Sequence, residues 1–581
     1  MDEILKKIVL LFRTNRFEEA LERLLELAID YPTEPTVHNL IGAAFLKLNK
    51  LNDAEKYFLK SINLNSNFID PYLNLGMLYE SEKSLKKCTN IYLRALDINP
   101  ASEKALSNLA RIYHINFQYY NALELDLKLL ELNSNFPNIN NRIGVNYHYI
   151  GNHKNAIEFL RKDLEINQKA MQVHSNLVMY MTYCNEFNND LYYQELKNFS
   201  NKLNNQLISK PSFQEIYSWD EPLNVGFVSG DFRDHPVGSL LESFLASFKT
   251  KRFRKFAFSN NKKVTDRTVR LRQNFDEWYD ISLSADKDVY ELIKHLNIHI
   301  LIDLSGHTDF NRLPLFSLRP SPIQVSWIGY WASTGLSQMD YFISDNYLTP
   351  PNTTEKFSEK IIRMPSTRWC YTPHYDFELS PLPCKENKYI TYGCFNSYPK
   401  ITEEIVYAWS QILKSVKNSK LFLMSKQFAD TRIQDNLIQR FRDFGISDGR
   451  LIIKGPDTKA NYMKCYSKVD IVLDTFPFTG GLTTLESLWM GVPVITLAGN
   501  NLVSRQGLSI LNNLDLNDWV SYDIDHYVAI AKDKSTDFSN LEQIRFSLRE
   551  KMVKSKIIDS KKFVKDFVSL LNEILKDKGF L

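Results

Sequence analysis

Residues 469–497, VDIVLDTFPFTGGLTTLESLWMGVPVITL, read as strand, glycine turn, helix and strand in one short stretch. Ile471, Val472 and Leu473 form an apolar run without polar alternation, the pattern of a parallel strand buried on both faces. Thr479, Gly480 and Gly481 supply a tight turn. Thr483 or Thr484 is placed to cap a helix whose Leu485, Leu488 and Trp489 fall at i, i+3 and i+4. Gly491 ends that helix and Pro493 opens the next strand. Free N–H groups at such a helix start, with the threonine hydroxyls, suit an anion such as a diphosphate, and glycine lets the backbone come close to it. Glu486 is placed to accept both ribose hydroxyls of a nucleotide; the competing reading is a solvated first-turn acid favoured by the helix dipole.

With 581 residues, 44% hydrophobic and 24% charged, the chain has material for about three or four globular domains. Lys+Arg of 71 against Asp+Glu of 68 leaves a net charge of +3, which makes no whole-chain case for nucleic acid or an acidic membrane surface. No apolar run approaches the roughly 18 residues of a membrane span. The first twenty residues intersperse charged with apolar positions and read as a helix rather than a signal peptide. Cys88, Cys184, Cys370, Cys384, Cys394 and Cys465 form no CxxC pair and no cluster with histidine, which predicts a reducing cytoplasm and no metal site.

Working back toward the start, a period of 34 residues appears. Ala20, Ala54, Cys88, Ala122 and Ala156 keep that step, as do Gly42, Gly76, Ala110 and Gly144, and Phe45, Tyr79, Tyr113 and Tyr147. Small residues at helix crossings with an aromatic between them are the pattern of tetratricopeptide repeats. About five repeats span residues 1–168, and a sixth first helix follows at Gln172 to Cys184.

The string D-T-F-P-[FY]-x-G-G-x-T-T-x-E-[AS]-L-W-M-G-V-P-V-[IV]-T, which residues 474–496 match, is similar to the donor-binding segment of the bacterial and plant branches of the O-linked N-acetylglucosamine transferase (OGT/SPINDLY-type) family. The resemblance runs from the repeats to about Leu514. It implies a GT-B fold, with a tetratricopeptide α-solenoid followed by two Rossmann-like α/β lobes. The expected division is a repeat superhelix over 1–184, a helical linker over 185–222, a first lobe over 223–385, a nucleotide-binding lobe over 386–540, and terminal helices over 541–581 packing on the lobes.

Further motifs carry residues of interest. V-S-x-D-F-x-x-H-P at 228–236 resembles the family's first-lobe motif, whose histidine, here His235, lies beside sugar and acceptor. A neutral imidazole there could take the proton of an attacking hydroxyl, or bond the turn as a structural residue. His307 is left between chemistry and loop structure, and Trp331 and Ala332 depart from the Pro and Gly of the family's Y-P-G-T-[ST]-G loop. F-N-x-x-x-K-I-[TD] at 395–402 resembles the second-lobe motif whose lysine, here Lys400, contacts the diphosphate; a fixed ammonium stabilises the charge that builds as a nucleoside diphosphate departs. Ser397 stands in the donor pocket where animal members have Gln, Lys459 matches a base-contacting lysine, and Tyr462 replaces a base-stacking histidine. Asn74, Asn108 and Asn176 match asparagines that hold an acceptor protein in the solenoid, although Leu40 and Arg142 interrupt the ladder. Asp523-Ile524-Asp525 spells a metal-nucleotide motif but reads as helix capping, because the resembled family works without a metal.

The resemblance thus implies inverting transfer of N-acetylglucosamine from UDP-N-acetylglucosamine to Ser or Thr hydroxyls of a protein, with no cofactor. The alternatives are fucose transfer from GDP-fucose and an inactive repeat scaffold.

Overall fold

The computed structural model describes residues 1–184, 188–205 and 222–580 and divides into two compact units, Met1–Tyr147 and the chain from His148 onward. The first unit is a run of paired helices, among them Pro35–Lys47 with Leu51–Leu64, Asp70–Ser81 with Leu85–Ile98, and Glu103–Ile115 with Tyr119–Leu132. Ala54, Cys88 and Ala122 are fully buried between the paired helices. A Cβ on Gly76 would lie 2.3 Å from the Tyr92 ring, and one on Gly42 would lie 2.7 Å from Phe58. The 34-residue period of small residues is therefore a steric requirement of helix crossing.

Within this unit Asn74 Nδ2 donates to Asn39 Oδ1 at 2.9 Å, and Asn108 is half-buried on the helix Glu103–Ile115. Where Arg142 interrupts the ladder, its guanidinium donates to Ser107 Oγ at 2.7 Å and pairs with buried Asp126 at 2.5 Å. Asn176 belongs to the second unit, buried on the helix Met171–Met181, where it accepts from Gln172 Nε2 at 3.3 Å.

In the second unit the helix Asn189–Asn204 places Phe199 and Leu203 in a core with Val228, Phe258, Ile298 and Leu301. The rest of the expected linker, residues 185–187 and 206–221, lies outside the described residues. Seven parallel strands follow: β1 (Leu223–Ser229), β2 (Phe253–Ser259), β3 (Glu277–Asp280), β4 (Ile298–Asp303), β5 (Ile323–Ser326), β6 (Tyr341–Asp345) and β7 (Lys360–Met364), in the order 3-2-1-4-5-6-7. Six more make a second parallel sheet: β8 (Ile390–Cys394), β9 (Ser419–Met424), β10 (Leu451–Lys454), β11 (Ile471–Leu473), β12 (Val494–Leu497) and β13 (Val520–Ser521), in the order 10-9-8-11-12-13. Both orders reverse direction beside the first strand, between β1 and β4 and between β8 and β11. Crevices at the carboxyl ends of such switch points are where open α/β sheets take ligands.

The chain closes with the helices Phe538–Lys554 and Ser560–Asp577. Arg545 of the former is buried and donates to Val469 O at 2.8 Å, holding the entry to β11. The latter crosses to the first lobe, where Phe567 sits 4.9 Å from the rings of both Phe244 and Trp327. Among the described residues no helix is long and apolar enough to cross a membrane.

Candidate active site

The loops after β8 and β11 meet at the switch point of the second sheet. β11 is followed by Asp474, a buried carboxylate that takes Gly480 N at 2.7 Å, Thr496 Oγ1 at 2.8 Å, Thr475 N at 2.9 Å and Asn396 Nδ2 at 3.1 Å. Those bonds fold the glycine turn back over the strand end. Neither Gly480 nor Gly481 has a positive φ, so the glycines serve close approach. A Cβ on Gly480 would lie 2.5 Å from Thr483 Oγ1, and one on Gly481 would lie 3.1 Å from both Trp369 and Gln506 Oε1.

The helix that follows, Leu482–Trp489, begins earlier than its threonines suggested. Gly481 is the N-cap and no side chain caps the helix, so Thr483 and Thr484 lie inside the first turn and the expectation that one of them caps it is wrong. Thr483 Oγ1 instead donates to Asn396 Oδ1 at 2.8 Å, and Thr484 Oγ1 to Gly480 O at 3.1 Å. The physical reason is that a glycine at the N-cap already lets the helix start, which leaves the hydroxyls to pin the turn.

Lys400 comes in from the loop after β8, on a single 3-10 turn, Tyr398–Lys400. Its Nζ donates to Thr479 O at 3.2 Å and lies 3.8 Å above the Phe478 ring. Burial pulls the ammonium down from its ordinary value to about 8, against the attraction of Asp474. One donor and one ring contact leave an N–H for a phosphate oxygen beside the uncapped helix start. Phe478 is held from the first lobe by Trp331, with ring centroids 4.5 Å apart, so the departure from the family loop is a contact to the residue before the glycine turn.

Ser397 is exposed at the mouth of this loop, and its Oγ accepts from Gln427 Nε2 at 3.2 Å. Glu486 is buried, which excludes the solvated first-turn acid; burial raises its carboxyl and Lys459 Nζ pairs with it at 2.5 Å. Lys459 also lies 4.2 Å over the Tyr462 ring, so base, ribose and charge candidates form one cluster. In it the lysine is already committed to the carboxylate. Asp523 caps the helix Ile524–Lys534 by accepting from His526 N at 2.7 Å.

Across the cleft, His235 is the N-cap of the helix Pro236–Ser247 after β1. Its Nδ1 lies 3.4 Å from Val237 N and 3.4 Å from an Asp231 carboxylate oxygen. A proton on Nδ1 turns the ring to Asp231 and leaves Nε2 a base; without one, Nδ1 caps the helix and Nε2 carries the proton. Loss of water, then the charges of Arg233, Lys426 and Arg267, pull the imidazole down to about 3, so it is neutral near pH 7. Asp231 is itself raised to about 6 by burial. His307 is fully buried between Ser175 Oγ at 3.1 Å and Thr334 O at 2.9 Å, a loop-holding residue.

The structure therefore gathers Lys400, Gly480, Gly481, Thr483 and Thr484 at one turn and Lys459, Tyr462 and Glu486 in one cluster. Asp474, Phe478 and Gln506 were not singled out from sequence. For Asp474 a signal existed, an acid closing an apolar strand; for Gln506 there was none.

Two Rossmann-ordered sheets, with an ammonium and an uncapped helix start at the switch point of the second, define a GT-B architecture, preceded in the chain by helical repeats. The chain belongs to glycosyl transferase family 41, whose sequence profile matches residues 149–377 and 382–567, and tetratricopeptide repeats match residues 35–68 and 69–102. It is 34% identical over 400 residues to the Hordeum vulgare protein named "Probable UDP-N-acetylglucosamine–peptide N-acetylglucosaminyltransferase SPINDLY", a match covering 68% of this chain and 42% of that one. The Arabidopsis thaliana protein of the same name is 32% identical, with 67% and 43% covered. The chain thus spans less than half the length of these relatives. A solved lysine-to-methionine mutant of the Thermobaculum terrenum O-GlcNAc transferase superposes with a TM-score of 0.81 at 26% identity, covering 88% of this chain and 98% of that one.

Proposed function

We propose that the chain transfers a sugar, N-acetylglucosamine from UDP-N-acetylglucosamine, with inversion to a Ser or Thr hydroxyl of a protein acceptor. The observation that carries this reading is the Lys400 ammonium at the carbonyl of the glycine turn, beside a helix start that no side chain caps. A departing nucleoside diphosphate gathers negative charge there, and prearranged positive groups stabilise it more than the ground state. Lys400 and the N–H groups of the first turn of the helix Leu482–Trp489 take the diphosphate, with Thr483, Thr484 and Ser397 lining it. Tyr462 stacks on the base, and Glu486 accepts from ribose once Lys459 yields a lone pair or turns to the base. His235, in the tautomer with Nδ1–H toward Asp231, accepts the hydroxyl proton. Asn74, Asn108 and Asn176 hold the backbone of the acceptor.

With the ammonium supplying the positive charge, no metal is needed, and transfer persists in EDTA. The reading also places the protein in the reducing cytoplasm, away from membranes and nucleic acid. The names of the relatives and of the solved O-GlcNAc transferase support the donor sugar. Calorimetric titration with UDP, GDP and their sugar conjugates tests it. Preferential binding of UDP and UDP-N-acetylglucosamine is expected, preference for GDP-fucose would replace the donor, and binding of none would leave a scaffold.

A further inference from the structure

The segment 502–509 of the second lobe touches two things. On one side it docks on the first lobe: Leu502 N donates to Glu355 Oε2 at 2.7 Å, Leu502 packs with Phe342 and Leu348, Arg505 Nε donates to Tyr347 O at 2.7 Å, and Ser509 Oγ donates to Asp345 Oδ2 at 2.8 Å. On its other side it holds Thr479, the residue whose carbonyl receives Lys400. Thr479 N and Oγ1 both donate to Val503 O, at 3.2 and 2.8 Å, and Thr479 Oγ1 accepts from Gln506 N at 3.2 Å. The Gln506 side chain completes the arrangement. Its Nε2 donates to Thr479 O at 3.2 Å, the same distance at which Lys400 Nζ donates to that oxygen, and Gln506 is buried.

A carbonyl oxygen has two lone pairs, and here one is taken by an amide and one by the ammonium. The amide fixes the direction of the carbonyl and so the approach of Lys400. We propose that Gln506 is a positioning residue for donor binding, acting through the Thr479 carbonyl to aim Lys400 Nζ at the diphosphate, and that segment 502–509 ties this aim to the docking of the two lobes. The inference rests on the glycine turn being the donor site.

The physical consequence is coupling. If Gln506 acts through Lys400, removing its N–H costs affinity only while Lys400 is present; if it merely packs, its loss costs the same in either background. The test is a double-mutant cycle on UDP binding with Gln506→Met, which keeps length and burial but has no donor, and Lys400→Ala. Gln506→Met is expected to weaken UDP binding about tenfold in the native background, the scale of one hydrogen bond involving a charged group, and by less than about twofold in Lys400→Ala. Equal losses in both backgrounds, or none in the native one, overturn the role of Gln506 while leaving the donor site standing. Failure of the native protein to bind any nucleotide overturns both. If Gln506→Met does not fold, Gln506→Leu, apolar, uncharged and without a donor, gives the same cycle and the same criteria.

Discussion

Lys400 is the residue on which the proposed chemistry rests, and its surroundings make its state measurable. Replacing it by Ala is expected to lower transfer by about 10²–10³-fold with the unfolding midpoint unchanged, the usual consequence of removing one prearranged donor to developing charge. Because burial pulls the amine down to about 8, the ammonium is present below that pH and lost above it. The rate therefore falls as pH rises through about 8, and in Lys400→Arg, whose guanidinium keeps its charge, the residual rate runs flat across that range. Lys459 and Glu486 give the opposite kind of test. Lys459→Ala leaves a carboxylate that is only 4% exposed without its cation, at an expected cost of about 1–3 kcal/mol, whereas Glu486→Gln leaves a lysine standing half in water and costs less. A carboxyl whose proton is held more tightly folded than unfolded stabilises the fold increasingly as pH falls, so denaturant titrations should show the Lys459→Ala deficit shrinking toward acid pH. Lys400 was legible in the sequence because one motif placed it after a strand. The pairing of Lys459 with Glu486 was not, because two residues 27 positions apart in sequence meet only through the packing of the helices that carry them.

Among the elements, the helix pairs of the first unit depend on crossings that admit only small side chains. Gly76→Ala sets a methyl 2.3 Å from the Tyr92 ring on the paired helix, and both partners are buried. Overpacking of this kind typically costs about 1–3 kcal/mol, so the variant should unfold at lower denaturant, with the loss confined to the repeat unit, as limited proteolysis would show. The period of 34 made this packing readable, as a continuous apolar run made β11 readable. Both edge strands of the first sheet escaped for want of a signal. β3, Glu277–Asp280, is a half-exposed edge that carries charge at both ends, and β7, Lys360–Met364, is the opposite edge of the same sheet. An edge strand needs only one buried face and one pairing partner, so it leaves little trace in hydropathy. The reading of the glycine turn failed in its detail for a related reason: Gly481 took the N-cap position that chain-local preference assigns to threonine, while Asn396, brought in from the loop after β8, gave Thr483 another partner.

At the scale of the second unit, the chain's last helix joins lobes that its sequence position would not connect. Ser560–Asp577 follows the second sheet yet packs on the first one, with Phe563 and Phe567 against Phe244 and Trp327, Ser560 Oγ 2.7 Å from Ser247 Oγ, and Lys360 Nζ and Tyr341 Oη both donating to Asp577 at 2.5 Å. The resemblance implied terminal helices over 541–581 packing on the lobes but not which residues receive them, since those lie more than two hundred positions earlier. The arrangement makes the first lobe's stability depend on the C-terminal helix. Phe567 is fully buried, and Phe567→Ala is expected to cost about 3–5 kcal/mol, the range for a large aromatic removed from a core. The loss should fall on the first-lobe side of the cleft, because Phe244 lies on the helix that His235 caps. With UDP on the second sheet, as proposed, its affinity should then change by less than about twofold while transfer to an acceptor declines steeply with temperature, a separation that calorimetry and rate measurements on one variant can read. An equal fall in nucleotide affinity would instead mean that the last helix stabilises both lobes as one cooperative body.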